Sequence, residues 1–171
     1  SLNEAGIPFT ELSGVHANPR SGKVYEGIDL VRQTGVDFLL AVGGGSVIDT
    51  AKAIGFGALY KGDFWDFFTG AAKIEKTLPV GVVLTISAAG SEGSDSCVIT
   101  QELGNLKWGC PKTDVIRPKF AVLDPRFTCS LPAYQTASGA VDMMAHILER
   151  YFTNTPDVGP PAPARGGGGR Q

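Results

Sequence analysis

This sequence predicts an α/β fold with a parallel sheet, on two observations. Segments with helical apolar spacing alternate with short segments that are apolar almost throughout, as strands inside a parallel sheet are. One of the apolar segments also runs straight through a glycine triplet into a helical pattern, the strand–turn–helix order of a βαβ unit.

The elements follow in order. Ile7-Pro8-Phe9-Thr10-Glu11-Leu12 has the period-2 pattern of a short strand. Ser21 reads as a helix N-cap, with Val24, Ile28 and Val31 spaced along one helical face and Gly35 as the stop. Val36 to Val42 reads as a strand covered on both faces. After Gly43-Gly44-Gly45, Ser46 opens a helix that lines up Val47, Ala51 and Ile54. Val80 to Leu84 and Phe120-Ala121-Val122-Leu123 are further buried-strand patterns, and Pro132 to Phe152 is one long helix. Phe64-Trp65-Asp66-Phe67-Phe68 reads as hydrophobic packing, within the chain or against a second subunit. Residues 159–171, GPPAPARGGGGRQ, carry no large apolar side chain and are expected to be disordered, because nothing there offsets about 1–2 kcal/mol of ordering entropy per residue.

Composition narrows the function classes. The chain has 171 residues, 43% of them hydrophobic and 19% charged, which suits a folded domain and not a disordered one. Fifteen basic and seventeen acidic residues leave a net charge of −2, so charge gives no reason to expect nucleic acid or an anionic membrane as partner. No apolar run approaches the roughly 20 residues of a membrane-spanning helix, and SLNEAG does not begin a secretory signal. Cys97, Cys110 and Cys129 are too far apart in sequence for a CxxC motif and read as reduced, structural thiols, which fits a cytoplasmic protein.

Gly43-Gly44-Gly45-Ser46 is the segment with the clearest chemistry. N–H groups and the positive dipole end at a helix N-terminus form an anion site. Glycines let a pyrophosphate approach the backbone and permit positive φ angles, and Ser46 can cap the helix or donate to a phosphate oxygen. The segment is neither GxGxxG nor GxxxxGK[ST], so a plain flexible turn is the alternative.

The surrounding residues extend the pattern. Gly43 to Lys52 resembles the GGGSxxDxAK signature of the iron-containing alcohol dehydrogenases. Gly14-Val15-His16-Ala17-Asn18-Pro19 is similar to that family's segment ending in NP. Thr85 to Glu92 resembles its TxxxTGSE loop, with Ala89 where Thr is usual. Lys107 stands at its loop lysine, and Leu123-Asp124-Pro125 with Ser130-Leu131-Pro132 resembles its DP…sLP pattern. Gly139 to Glu149 resembles its metal-binding helix, and Tyr151-Phe152-Thr153 points to the butanol dehydrogenase-like branch.

The resemblance implies a Rossmann-like nucleotide-binding domain over 1–130, then the start of an all-helical metal domain over 131–158, with the tail at 159–171. It implies NAD or NADP as cofactor, bound by Asn18, Gly43, Gly44, Gly45, Ser46, Asp49, Thr85, Ser87 and Lys107. Asp49 is expected in the first helical turn, near the dipole's positive end; Lys107 would stand near the cofactor ribose or phosphate. It implies Fe2+ (or Zn2+) held in part by Asp142 and His146, whose four-residue spacing puts both on one helix face. The implied activity is metal-assisted hydride transfer between a primary alcohol or aldehyde and NAD(P). The family's opening strand and two further metal-binding histidines are expected to be missing, which gives a binding-only chain without turnover as the alternative. A homo-oligomer is expected, formed through Val141, Met144, Ile147, Leu148 and Phe152. Ala89-Gly90-Ser91-Glu92-Gly93, with Asp142 and His146 as partners, leaves serine hydrolysis as a remote alternative, although the elbow motif wants glycine where Ala89 stands.

Overall fold

A computed structural model describes residues 2–152. The expected disorder of residues 159–171 lies outside the described residues. Three parallel strands form the main sheet: β1 (Leu39–Gly43), β2 (Val80–Leu84) and β5 (Phe120–Val122), in the order β1-β2-β5. An antiparallel hairpin, β3 (Val98–Gln101) with β4 (Leu106–Gly109), forms a second small sheet. The helices are α1 (Ser21–Thr34), α2 (Gly45–Ala58), the single turn α3 (Asp66–Thr69) and α4 (Ala133–Phe152).

The β1–α2–β2 crossover is the βαβ unit expected from the sequence. Its strands pair in register from Leu39 opposite Val80 to Gly43 opposite Leu84. Ala41, Val80, Val82 and Leu84 bury against Ile48 and the flanking Val47 and Ala51 of α2. The expectation that the first strand is covered on both faces is corrected. Leu40 and Val42 on the opposite face are exposed, Val42 at 57%, and all three residues of β5 are exposed as well.

α1 packs on α2 through Val24, Ile28, Val31 and Ile54. Gly27 makes that approach possible, because a Cβ there would lie 2.2 Å from Ile54 Cδ1. Gly35 ends α1 in the left-handed conformation, φ 68°, with its N–H on Val31 O, as expected. The start differs. Arg20 holds the cap position without a side-chain bond, and Ser21 is the first helical residue. Its hydroxyl accepts from the Glu102 N–H at 3.2 Å, while the Glu102 carboxylate accepts from the Gly22 N–H at 3.0 Å. A carboxylate from the hairpin turn therefore supplies the cap, the favourable charge for a helix N-terminus.

The strand expected at Ile7 to Leu12 does not form; residues 7–12 are irregular, and Ile7 and Phe9 are half exposed. With Pro8 lacking an N–H and no strand among the described residues beside it, alternation alone does not make a ladder. Phe64, Trp65, Phe67 and Phe68 are buried within the chain, with Trp65 and Phe68 stacked at 4.7 Å.

Candidate cofactor site

The glycine turn leaves the carboxyl end of β1, where parallel α/β sheets bind ligands. Gly44 is the N-cap of α2, with no side-chain cap, so the first-turn amides receive no help from a side chain at that position. The glycines are required for close approach and not for unusual backbone angles. Gly43, Gly44 and Gly45 are absent from the positive-φ glycines, which corrects the expectation of left-handed conformations here. A Cβ at Gly43 would lie 2.6 Å from Val47 Cγ2, at Gly44 2.5 Å from Ile86 Cγ2, and at Gly45 3.2 Å from Ser91 Oγ. Ser46 is half-buried, and its carbonyl accepts from the Thr50 hydroxyl at 2.8 Å. It opens no cap; the helix has begun one residue earlier.

The loop after β2 closes over this turn. The Thr85 N–H donates to Gly43 O at 3.1 Å, and Ile86 and Ser91 are the residues the glycines make room for. Ser87 is exposed, and its carbonyl sits where a Cβ on Gly139 of α4 would come within 2.5 Å. Thr85 is thus held against the glycine turn, while Ser87, two residues further along the loop, approaches Gly139 of α4.

Lys52 fixes the loop from below. Its side chain is fully buried, and its ammonium donates to Ser91 O at 2.7 Å, Ser94 O at 2.9 Å, Ser94 Oγ at 3.0 Å and Ser96 O at 3.0 Å. Burial lowers its pKa, opposed chiefly by the charge of Asp49. The sequence motif that contains Lys52 does not by itself reveal this role. Its signal is a single lysine, three residues after Asp49, in a helix otherwise made mostly of apolar and small residues.

Asp49 is not in the first turn, which corrects that expectation; it is the fifth residue of α2. Its Oδ2 accepts from the Val98 N–H at 2.9 Å, and Oδ1 is buried without a hydrogen-bond partner. Burial raises its pKa, against the lowering effects of the Val98 N–H, Lys52 and Ser91. This carboxylate ties β3 to α2.

Asn18 and Lys107 form a second cluster. Lys107 Nζ donates to Asn18 Oδ1 at 2.7 Å, and Asn18 has φ 55°. With Ala17, Arg20, Thr100 and Asn105 they line one hollow, to which Arg20 and Lys107 bring positive charge. The Thr100 N–H on Pro19 O at 2.7 Å holds this segment to β3, and Asp49 holds β3 to α2. The two clusters are therefore positioned by one strand.

The metal residues are arranged differently. Asp142 Oδ1 and His146 Nε2 are 3.8 Å apart on α4, with side chains 45% and 57% exposed. Among the described residues no group of three His, Cys, Asp or Glu side chains could hold a metal ion. Two exposed donors do not close the sphere of a divalent ion, which takes four or more ligands, so the described residues do not fit a resident metal. Serine hydrolysis finds no geometry either. Ser91 is buried in a turn whose carbonyl is bound by Lys52, and no helix follows it to form a nucleophile elbow.

Comparison with known proteins decides the family. The model of the iron-containing alcohol dehydrogenases matches residues 1–125. This chain belongs to the iron-containing alcohol dehydrogenase family. A probable NADH-dependent butanol dehydrogenase 2 of Bacillus subtilis is 50% identical over 155 residues, 90% of this chain and 39% of the relative. The NADPH-dependent aldehyde reductase YqhD of Escherichia coli is 40% identical, over 90% of this chain and 40% of that protein. The crystal structure of an NADH-dependent butanol dehydrogenase A from Thermotoga maritima superimposes with a TM-score of 0.84 at 47% identity, covering 88% of this chain and 38% of that one. The chain thus spans about two fifths of the length of these family members. The parallel sheet with helices matches their Rossmann-like α/β fold. No helix among the described residues is long and apolar enough to cross a membrane.

Proposed function

We propose that this chain is the dinucleotide-binding part of an NAD(P)-dependent alcohol or aldehyde oxidoreductase, with the pyrophosphate on the Gly43 to Ser46 turn. The observation that carries this reading is the cradle itself. Gly44 and Gly45 keep Ile86 and Ser91 at distances a Cβ would close, at a helix N-terminus without a side-chain cap. Thr85 borders the turn through its N–H on Gly43 O, and Ser87 follows on the same loop. Lys107 and Asn18 supply a positive and a polar group at the second cluster. A nicotinamide dinucleotide supplies or accepts hydride when bound; this chain's residues bind and orient it. Asp49 serves as the anchor of β3 and not as a direct ligand, because its carboxylate is buried and bonded to Val98.

Relatives named for NADH and for NADPH both occur, so the preference between them is left to measurement. Binding without turnover is the second reading, favoured by the two-donor set of Asp142 and His146. Titration calorimetry with NADH and NADPH tests the first. Saturable binding is expected, weakened at least tenfold in Gly44→Val, whose side chain would occupy the space beside Ile86. Equal affinity in the variant would remove the pyrophosphate from this turn. Reduced nicotinamide absorbance from butanol after Fe2+ or Zn2+ is added would overturn the second reading.

A further inference from the structure

Cys97 and Cys110 are thirteen apart in sequence and neighbours in space. They extend the β3–β4 pairing by one position beyond Val98 opposite Gly109, and the Cys110 N–H donates to Cys97 O at 2.9 Å. Their sulfurs are 3.4 Å apart, and neither is in a disulfide. A disulfide needs about 2.05 Å, so one sulfur must move by roughly 1.4 Å, within reach of small side-chain rotations between paired strands. We propose that Cys97 and Cys110 form a redox modification site, a buried dithiol that a hydroperoxide converts into a reversible intramolecular disulfide.

The two thiols have different roles. Cys110 Sγ accepts from the Cys97 N–H at 3.3 Å, has the Cys97 thiol at 3.4 Å, and lies 4.0 Å from the Ser96 hydroxyl. The Cys97 thiol is the main cause holding Cys110 at a pKa of about 7; burial opposes it, while the Cys97 N–H, the Ser96 hydroxyl and the Lys52 ammonium add to it. Burial pushes Cys97 well up, and Asp49 beside it acts in the same direction. Cys110 therefore carries the nucleophilic thiolate, and Cys97 keeps its proton until the second step.

The chemistry balances as follows. The Cys110 thiolate attacks one oxygen of hydrogen peroxide, an S–O bond forms, and the O–O bond breaks. The departing hydroxide takes a proton from solvent and leaves as water, which gives the sulfenic acid. Cys97 sulfur then displaces the hydroxyl from Cys110, and the proton of Cys97 leaves with it as a second water. Two electrons pass from the two sulfurs to the peroxide. Residues 97 and 110 are only 1% and 5% exposed, which admits a small peroxide more readily than a bulky disulfide reagent. The closed ring spans the hairpin that carries Lys107. This assignment does not depend on the nucleotide proposal.

The test uses the full chain with Cys129→Ala, which removes the exposed thiol. Folded protein is exposed to hydrogen peroxide at several pH values, quenched, and read by intact mass and peptide mapping. The expected result is loss of two hydrogen masses, a linked Cys97–Cys110 peptide pair reversed by dithiothreitol, and a rate that rises as pH passes through about 7. Cys97→Ser should instead accumulate a sulfenic acid at Cys110, read as the gain of one oxygen by intact mass and trapped with dimedone added as the protein is unfolded. Two surviving thiols under peroxide that oxidises free cysteine would overturn the proposal. So would a disulfide that forms only when the wild-type chain is unfolded in guanidinium, a comparison that needs no variant to fold.

Discussion

Replacing the fully buried Lys52 with Met keeps an unbranched four-atom stem, with sulfur in place of one methylene, and removes the ammonium. The ammonium serves four acceptors on Ser91, Ser94 and Ser96, but three N–H groups can make at most three well-directed bonds. Bonds to a charged group contribute about 1.5–3 kcal/mol each, which makes the gross loss about 4–9 kcal/mol. The variant also escapes the cost of burying a charge, which is several kcal/mol. That offset is real here, because burial lowers the Lys52 pKa despite the nearby Asp49. The difference is a net loss of about 2–4 kcal/mol, or a fall in melting temperature of roughly 5–15 °C for a chain of this size. Thermal unfolding followed by circular dichroism measures it. The same variant should weaken NADH binding, because the freed 91–96 segment no longer holds Ser91 beside Gly45. A melting temperature within about a degree of the wild type would refute the reasoning, since the loop would then be held by something other than this cation.

Gly27→Ala should cost about 1–3 kcal/mol in urea unfolding, because the new methyl meets Ile54 at the α1–α2 contact; unchanged stability would show that Ile54 has room to turn away. Asp49 has a raised pKa in the folded state, so the folded protein holds the extra proton and loses stability as pH rises from the ordinary carboxylate value of 3.8 through the raised one. Urea midpoints of the wild type relative to Asp49→Asn should therefore fall between acid and neutral pH, and a difference that rises with pH would contradict the assignment. α4 exposes Val141, Met144, Ile147, Leu148 and Phe152, and Gly139 is its one buried residue among those described. Self-association through this face is expected in sedimentation runs, and a strictly monomeric species at high concentration would count against it.

The sequence was most informative where local chemistry and tertiary packing agree. Val80 to Leu84 forms β2 over the expected range, Gly35 stops α1, and the glycine triplet joins β1 to α2. It misled where a pattern needed a partner. Ile7 to Leu12 has the alternation of a strand but no neighbour among the described residues, and the run of Val36 to Val42 has only one covered face. The β3–β4 hairpin has no long apolar run that marks it in the sequence. Its signal was the turn at Gly104 and Asn105, whose positive φ angles of 82° and 53° reverse the chain between Gln101 and Leu106. Among site residues, Thr85 bonds the glycine turn and Lys107 bonds Asn18, so the structure brings these two pairs of motifs together. Asp49 and Lys52 could not be assigned from spacing, because their roles depend on Val98 and the 91–96 segment, more than 38 positions away.

Backbone amide chemical shifts, recorded by NMR while NADH is titrated into the isotope-labelled chain, test the central claim most directly. The account places the pyrophosphate on the N-terminus of α2, so the largest saturable shifts should fall on Gly44, Gly45, Ser46 and Val47. Thr85 to Ser87 should follow, with smaller changes at Asn18 and Lys107. Shifts confined to other parts of the chain, or none at millimolar NADH, would contradict it.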